Sequence, residues 1–101
     1  MEILKYVPNS VTIKTIIEKA TGNVSIASFD SGEALTDQTS PFDTFIFVID
    51  GVAEVVINHH PTMLETGQSI VIPADSTSTI RANVRFKMIS AVIKSGYEDL
   101  S

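Results

Sequence analysis

Turn-forming residues recur along the chain at short intervals: Thr21-Gly22-Asn23, Asp30-Ser31-Gly32, Asp50-Gly51, Asn58-His59-His60-Pro61 and Thr66-Gly67. Between them lie runs rich in β-branched and aromatic residues, which suit a pleated surface and lose rotamer freedom in a helix. They read as strands over 11–17, 24–29, 44–49, 53–57, 62–65, 69–72 and 84–93. Only 11–20 has some helical spacing, through Ile13, Ile16, Ile17 and Ala20, and Thr12 and Thr15 resist it. Residues 44–49 are apolar on both alternating faces, as in a strand covered on two sides. Asp50-Gly51 is expected to turn the chain. Many short strands with regular turns mean an all-β sandwich or barrel.

A length of 101 residues gives one domain, 1–101, able to bury roughly 65% of its unfolded surface. Although 44% of the residues are apolar, no uninterrupted apolar run nears the ~20 residues that span a bilayer. Glu2, Lys5 and Pro8 break up any signal-peptide core, and there is no cysteine for a disulfide, a thiolate zinc site or thiol catalysis. These features fit a cytoplasmic protein. Seven basic and twelve acidic residues leave a net charge of −5. No Lys or Arg occurs between Ala20 and Ile80, a stretch holding eight acids, so the clustered cations that nucleic acid requires are missing. Arg81, Arg85 and Lys87 read as a solvated strand face.

The glycines and Pro73 carry a resemblance. Gly32, Glu33 and Gly51 match the spacing of the first cupin motif, G-x5-H-x-H-x3-E-x6-G, over 32–51. Gly67 and Ile72-Pro73-Ala74 match the second, G-x5-P-x-G-x2-H-x3-N, over 67–82. The chain thus resembles a small single-domain cupin with degenerate metal-binding motifs. The resemblance implies a cupin-type β-barrel, the double-stranded β-helix or jelly roll.

The positions that hold metal ligands in metal-binding cupins are here Gln38, Ser40, Thr44 and Ser78. The second motif's Gly is Asp75 and its Asn is Ala82. An amide and three hydroxyls lack the basic nitrogens and anionic oxygen that offset the dehydration of a divalent ion. We therefore expect no metal and no cofactor. Asp37 and Asp43 each lie one residue from a ligand position, so alternation turns them out of the barrel or into turns. His59 and His60 fall in a hairpin loop. Nothing resembles a nucleophile elbow or a phosphate-binding loop, and no catalytic residue is assigned.

If the barrel closes as in cupins, Gln38, Ser40, Thr44 and Ser78 line its mouth. Phe47, Phe86 and Met88 are expected to supply an apolar wall. The cavity would fall in the ordinary pocket range of about 300–1,000 Å³ and hold a small neutral or anionic molecule. Phe45, Phe47 and Ile49 share one face of their strand, opposite Thr44, Ile46 and Val48, and the outward face needs cover. The resemblance implies a two-fold homodimer through such a sheet face, with residues 1–7 pairing at an edge. The functional expectation is a small-molecule-binding or homodimeric non-catalytic module. The alternative is a cupin enzyme, of metal-dependent dioxygenase or isomerase type, with an atypical site.

Overall fold

The computed structural model describes residues 4–94. They form eight strands and, among the described residues, no helix: β1 (Val11–Lys19), β2 (Gly22–Phe29), β3 (Ala34–Thr39), β4 (Asp43–Ile57), β5 (His60–Glu65), β6 (Ser69–Ile72), β7 (Thr77–Arg81) and β8 (Phe86–Ile93). All pairings are antiparallel, in the order β1-β2-β8-β4-β7-β3, with β5 and β6 also bonded to β4. The sheet curls into a jelly roll, with β1 and β3 at the two ends of the strand order.

The fold turns on β4, which does not stop at Asp50-Gly51 as the sequence reading expected. Its first half pairs with β8 and β6, and its second half with β7 and β5. A bulge between Val48 and Asp50 marks the changeover. Gly51 has φ +90, a left-handed conformation that disfavours a side chain, and its backbone lies against β8. Thr66 fixes the bend: its Oγ1 accepts the Gly51 N–H at 3.0 Å and donates to the Gly51 carbonyl at 3.2 Å. The dipeptide therefore redirects a strand from one sheet to the other without ending it.

The actual turn is shorter than expected. Asn58 and His59, at φ 47 and 70, form a two-residue hairpin loop, so His60 and Pro61 belong to β5. Pro61 is tolerated there because β5 pairs on one side only. Two strands, β3 and β7, are additions to the sequence reading. The C-terminal strand starts at Phe86, beyond Val84 and Arg85.

The core packs at the closed end. Phe29 and Phe86 are fully buried and stacked, with centroids 4.4 Å apart and planes 16° from parallel. Val48, Ala53, Val55 and Ala82 close around them. Residues 4–10 reach the outer face of the β2-β8-β4 sheet, where the Tyr6 hydroxyl donates to Asp50 Oδ2 at 2.6 Å. Its ring lies under Lys87 Nζ, 4.5 Å from the centroid, and near the Arg85 guanidinium at 5.0 Å. Residues 1–3, part of the expected edge pairing, lie outside the described residues.

Candidate functional site

Alternation along the strands decides what faces the interior. On the β1-β2-β8-β4 sheet, Ile13, Ala27, Met88 and Val48 are cross-strand neighbours and form one inward row. The next row toward the open end holds Thr15, Ser25, Ser90 and Ile46, and the row beyond it includes Val92, Thr44 and Ile72. On the opposite sheet Leu35 pairs with Ile80, and Gln38 with Ser78. Between these faces lies a cavity of about 220 Å³, smaller than expected, lined by side chains of both sheets.

The structure brings Gln38, Ser40, Thr44, Ser78 and Met88 to this one cavity. Phe47 and Phe86 do not line it. Ile46 and Val48, 1% and 0% exposed, occupy the inner face of β4, so Phe47 points outward by alternation. Phe86 is inward-facing but sits deeper than Met88, packed against Phe29 in the core. The sequence reading missed Ser25, Ser76 and Ser90, and the apolar floor of Ala27, Leu35 and Ile80. Fixing Thr44 inward and counting by twos through the paired strands would have found the first and last of these hydroxyls.

A bulge in β3 determines which residue of the first motif enters. Leu35 pairs with Ile80 and Gln38 with Ser78, so β3 carries one extra residue between the pairs. Without it, alternation from Leu35 would aim Asp37 at the interior. Instead Asp37 takes φ 50, stays exposed, and donates its N–H to Thr79 Oγ1 at 3.2 Å. Asp43 serves the β6–β7 connection, its Oδ1 accepting the Ala74 N–H at 2.8 Å. Asp75 donates its N–H to the Ser40 carbonyl at 2.7 Å.

None of the described residues that line the cavity has a titratable side chain. The donor set at the motif positions remains an amide and three hydroxyls, which does not fit a divalent metal. Among the described residues no three His, Asp or Glu side chains gather as ligands, and His59 and His60 are exposed at the far hairpin. The perturbed ionisable groups lie elsewhere. Burial, then the hydrogen bond to Asp50, push the Tyr6 phenol well above its ordinary range, against the pull of Arg85. The N–H groups of Asn9 and Ser31 hold the Asp30 carboxyl below its ordinary value.

Solved structures share this architecture. A cupin superfamily protein from Desulfitobacterium hafniense superposes with a TM-score of 0.85 at 21% identity, over 89% of this chain and 83% of that one. A cupin 2 conserved barrel domain protein from Leptotrichia buccalis gives a TM-score of 0.87 at 26% identity, over 90% of this chain. The fold is that of the cupins. This cupin-fold chain matches only 44% of the Leptotrichia protein, which is longer. A mutant of salicylate 1,2-dioxygenase from Pseudoaminobacter salicylatoxidans also shares the fold, at 18% identity and a TM-score of 0.78, over 87% of this chain and 27% of that one. No family model matches the sequence, and no curated protein does. Among the described residues, no helix is long and apolar enough to cross a membrane.

Proposed function

We propose that this cupin-fold chain is a metal-free, non-catalytic binding protein that takes a small molecule into the barrel. The observation that carries this reading is the cavity itself: a shaped interior in which the motif positions offer hydrogen bonds and no titratable group. General acid–base chemistry needs a group whose pKa can sit near the working pH, within reach of the substrate. The described lining provides hydroxyls and one amide instead. Buried polar groups without protein partners are solvated by ordered water, which a ligand of matching polarity can replace. Elemental analysis of untagged protein, purified without chelator and then incubated with iron, manganese, nickel or zinc, tests the metal-free part. A content near zero per chain is expected, and a stoichiometric first-row metal in the barrel would overturn the reading.

The working unit we propose is a homodimer, in a reducing cytoplasm to which the lack of cysteine is suited. Support comes from the outer face of the β2-β8-β4-β6 sheet. There Val24, Phe45, Phe47, Ile89 and Ala91 sit together on the side away from the cavity, with Val71 and Ile93 each about half exposed. Such a contiguous apolar face is unusual on a monomer, and a self-complementary patch closes with two-fold symmetry. Light scattering on a sizing column should give twice the chain mass at micromolar concentration. Phe47→Glu should halve it, and a clean wild-type monomer would refute the dimer.

A further inference from the structure

Two features of the cavity, its polarity gradient and its missing charge, bear on what it would hold. Along β8 the inward residues run from Phe86 and Met88, both buried, to Ser90 and then Val92 toward the open end. Ser90 is the cross-strand neighbour of Ser25, whose Oγ lies 3.4 Å from Thr15 Oγ1, so three strands set their hydroxyls in one row. Gln38 and Ser78, themselves neighbours on the opposing sheet, add an amide and a hydroxyl to the cavity that Ser25 and Ser90 line. Beneath this belt the side chains of Ala27, Met88, Leu35 and Ile80 make an apolar floor. Part of the belt is engaged within the protein, Ser25 Oγ donating to Thr15 Oγ1 and Gln38 Nε2 to the Thr36 carbonyl at 3.2 Å. This leaves the Gln38 amide oxygen and the Ser78 and Ser90 hydroxyls to meet a guest. Among the described residues, Ser28 Oγ is the buried side-chain polar atom without a partner, and it lies on the sheet's outer face. The cavity hydroxyls are therefore bonded or open to the space they surround.

The charge pattern is equally directional. No Lys, Arg or His lines the cavity. Asp37, Asp43 and Asp75 flank lining residues in the chain, whereas Lys94 is the cation beside the mouth, its Nζ 5.7 Å from the centre of the Phe42 ring. A carboxylate or phosphate held at the belt would lose hydration without a counter-ion in the lining, Lys94 standing outside it at the mouth, and would do so within a net-negative protein. An uncharged molecule faces no such penalty. In size, about 220 Å³ corresponds to roughly seven waters of liquid volume, which is room for one substituted six-membered ring.

Resting on the binding reading above, we infer that the cavity selects a small uncharged ring compound. Its apolar edge would lie on the Met88–Ile80 floor and its hydroxyl or amide group at the Ser25–Ser90–Ser78–Gln38 belt. Anionic analogues of the same shape are rejected. Benzamide, benzoate and toluene separate the elements of this inference, because they share a ring and differ in charge and hydrogen bonding. Each is titrated at pH 7 into the isotope-labelled full chain, and the backbone amide signals of Ser25, Ser78, Met88 and Ser90 are followed. Benzamide should shift these signals, with benzoate at least tenfold weaker. Ser78→Ala and Ser90→Ala should each weaken benzamide about threefold to tenfold, the worth of one hydrogen bond, and leave toluene unchanged. Benzoate binding as tightly as benzamide would overturn the charge selection while leaving the binding reading intact. Toluene binding without benzamide would overturn the role of the belt. Silence from all three probes at millimolar concentration would overturn the binding reading, and this inference with it.

Discussion

Replacing Gly51 by alanine should be far more damaging than the same change at Gly67, although the two residues have nearly the same backbone conformation, φ +90 and +88. A left-handed conformation costs an L-residue about 1–2 kcal/mol, and that cost applies equally at both sites. The surroundings differ. A Cβ on Gly67 meets nothing within 4 Å, whereas one on Gly51 would lie 2.3 Å from the Arg85 carbonyl oxygen and 2.9 Å from Phe86 Cα. Those atoms belong to backbone, so β4 and the chain entering β8 must move apart, an overpacking strain of about 1–3 kcal/mol. Gly51→Ala should therefore lose about 2–5 kcal/mol, and Gly67→Ala about 1–2. The entropy that alanine removes from the unfolded chain is common to both and cancels in the comparison. Urea unfolding measures the difference if the slopes stay equal. Equal losses at the two sites would refute the close approach of β4 to β8 and the account of the bend built on it.

Tyr6→Phe should cost about 1 kcal/mol at pH 7, the worth of a partly exposed hydrogen bond to Asp50. Because the folded state raises the phenol's pKa, that side chain's contribution is complete below the unfolded value near 10 and is lost as pH rises past it. Thermal melts of wild type and Tyr6→Phe should consequently converge in strongly alkaline buffer, and parallel curves would count against the shift. Ser28→Ala removes a buried hydroxyl that has no partner and should raise stability by about 1 kcal/mol, or the melting point by about 4–8 °C. Destabilisation there would mean that the hydroxyl is satisfied after all. Benzamide affinity, in turn, should be flat from about pH 6 to 9, since no lining group titrates in that interval. A transition near neutrality would place an ionising group at the cavity.

What could be read from the chain depended on how strongly each segment broke its surroundings. The motif glycines fixed the positions of the bends, and with them the jelly roll, because a bend demanding φ near +90 leaves few alternatives to glycine. Strands β3 and β7 escaped because ALTDQT and TSTIR are mostly polar, and the bulge at Thr36-Asp37 breaks the alternation that would have exposed a buried face. Phe47 was misplaced for the opposite reason. Its strand is apolar on both faces, so hydrophobicity carried no sign, and only the inward Thr44 of the motif could have supplied one. Phe86 had the correct face but the wrong depth, and depth along a barrel axis depends on pairing register, which one strand cannot reveal. The hydroxyls of Ser25 and Ser90 were visible as residues throughout. Their convergence arises from strands distant in the chain.

The fifteen residues of β4 also govern how the molecule comes apart. Because one strand is hydrogen-bonded into both halves of the roll, neither half can detach while the other keeps its full set of partners. Opening either side frees the same backbone, so loss of order should spread from one to the other as a single cooperative event. The cavity lies between those halves and shares their fate. Its shape therefore persists for as long as the global fold does, and a guest held there would slow unfolding of the whole chain.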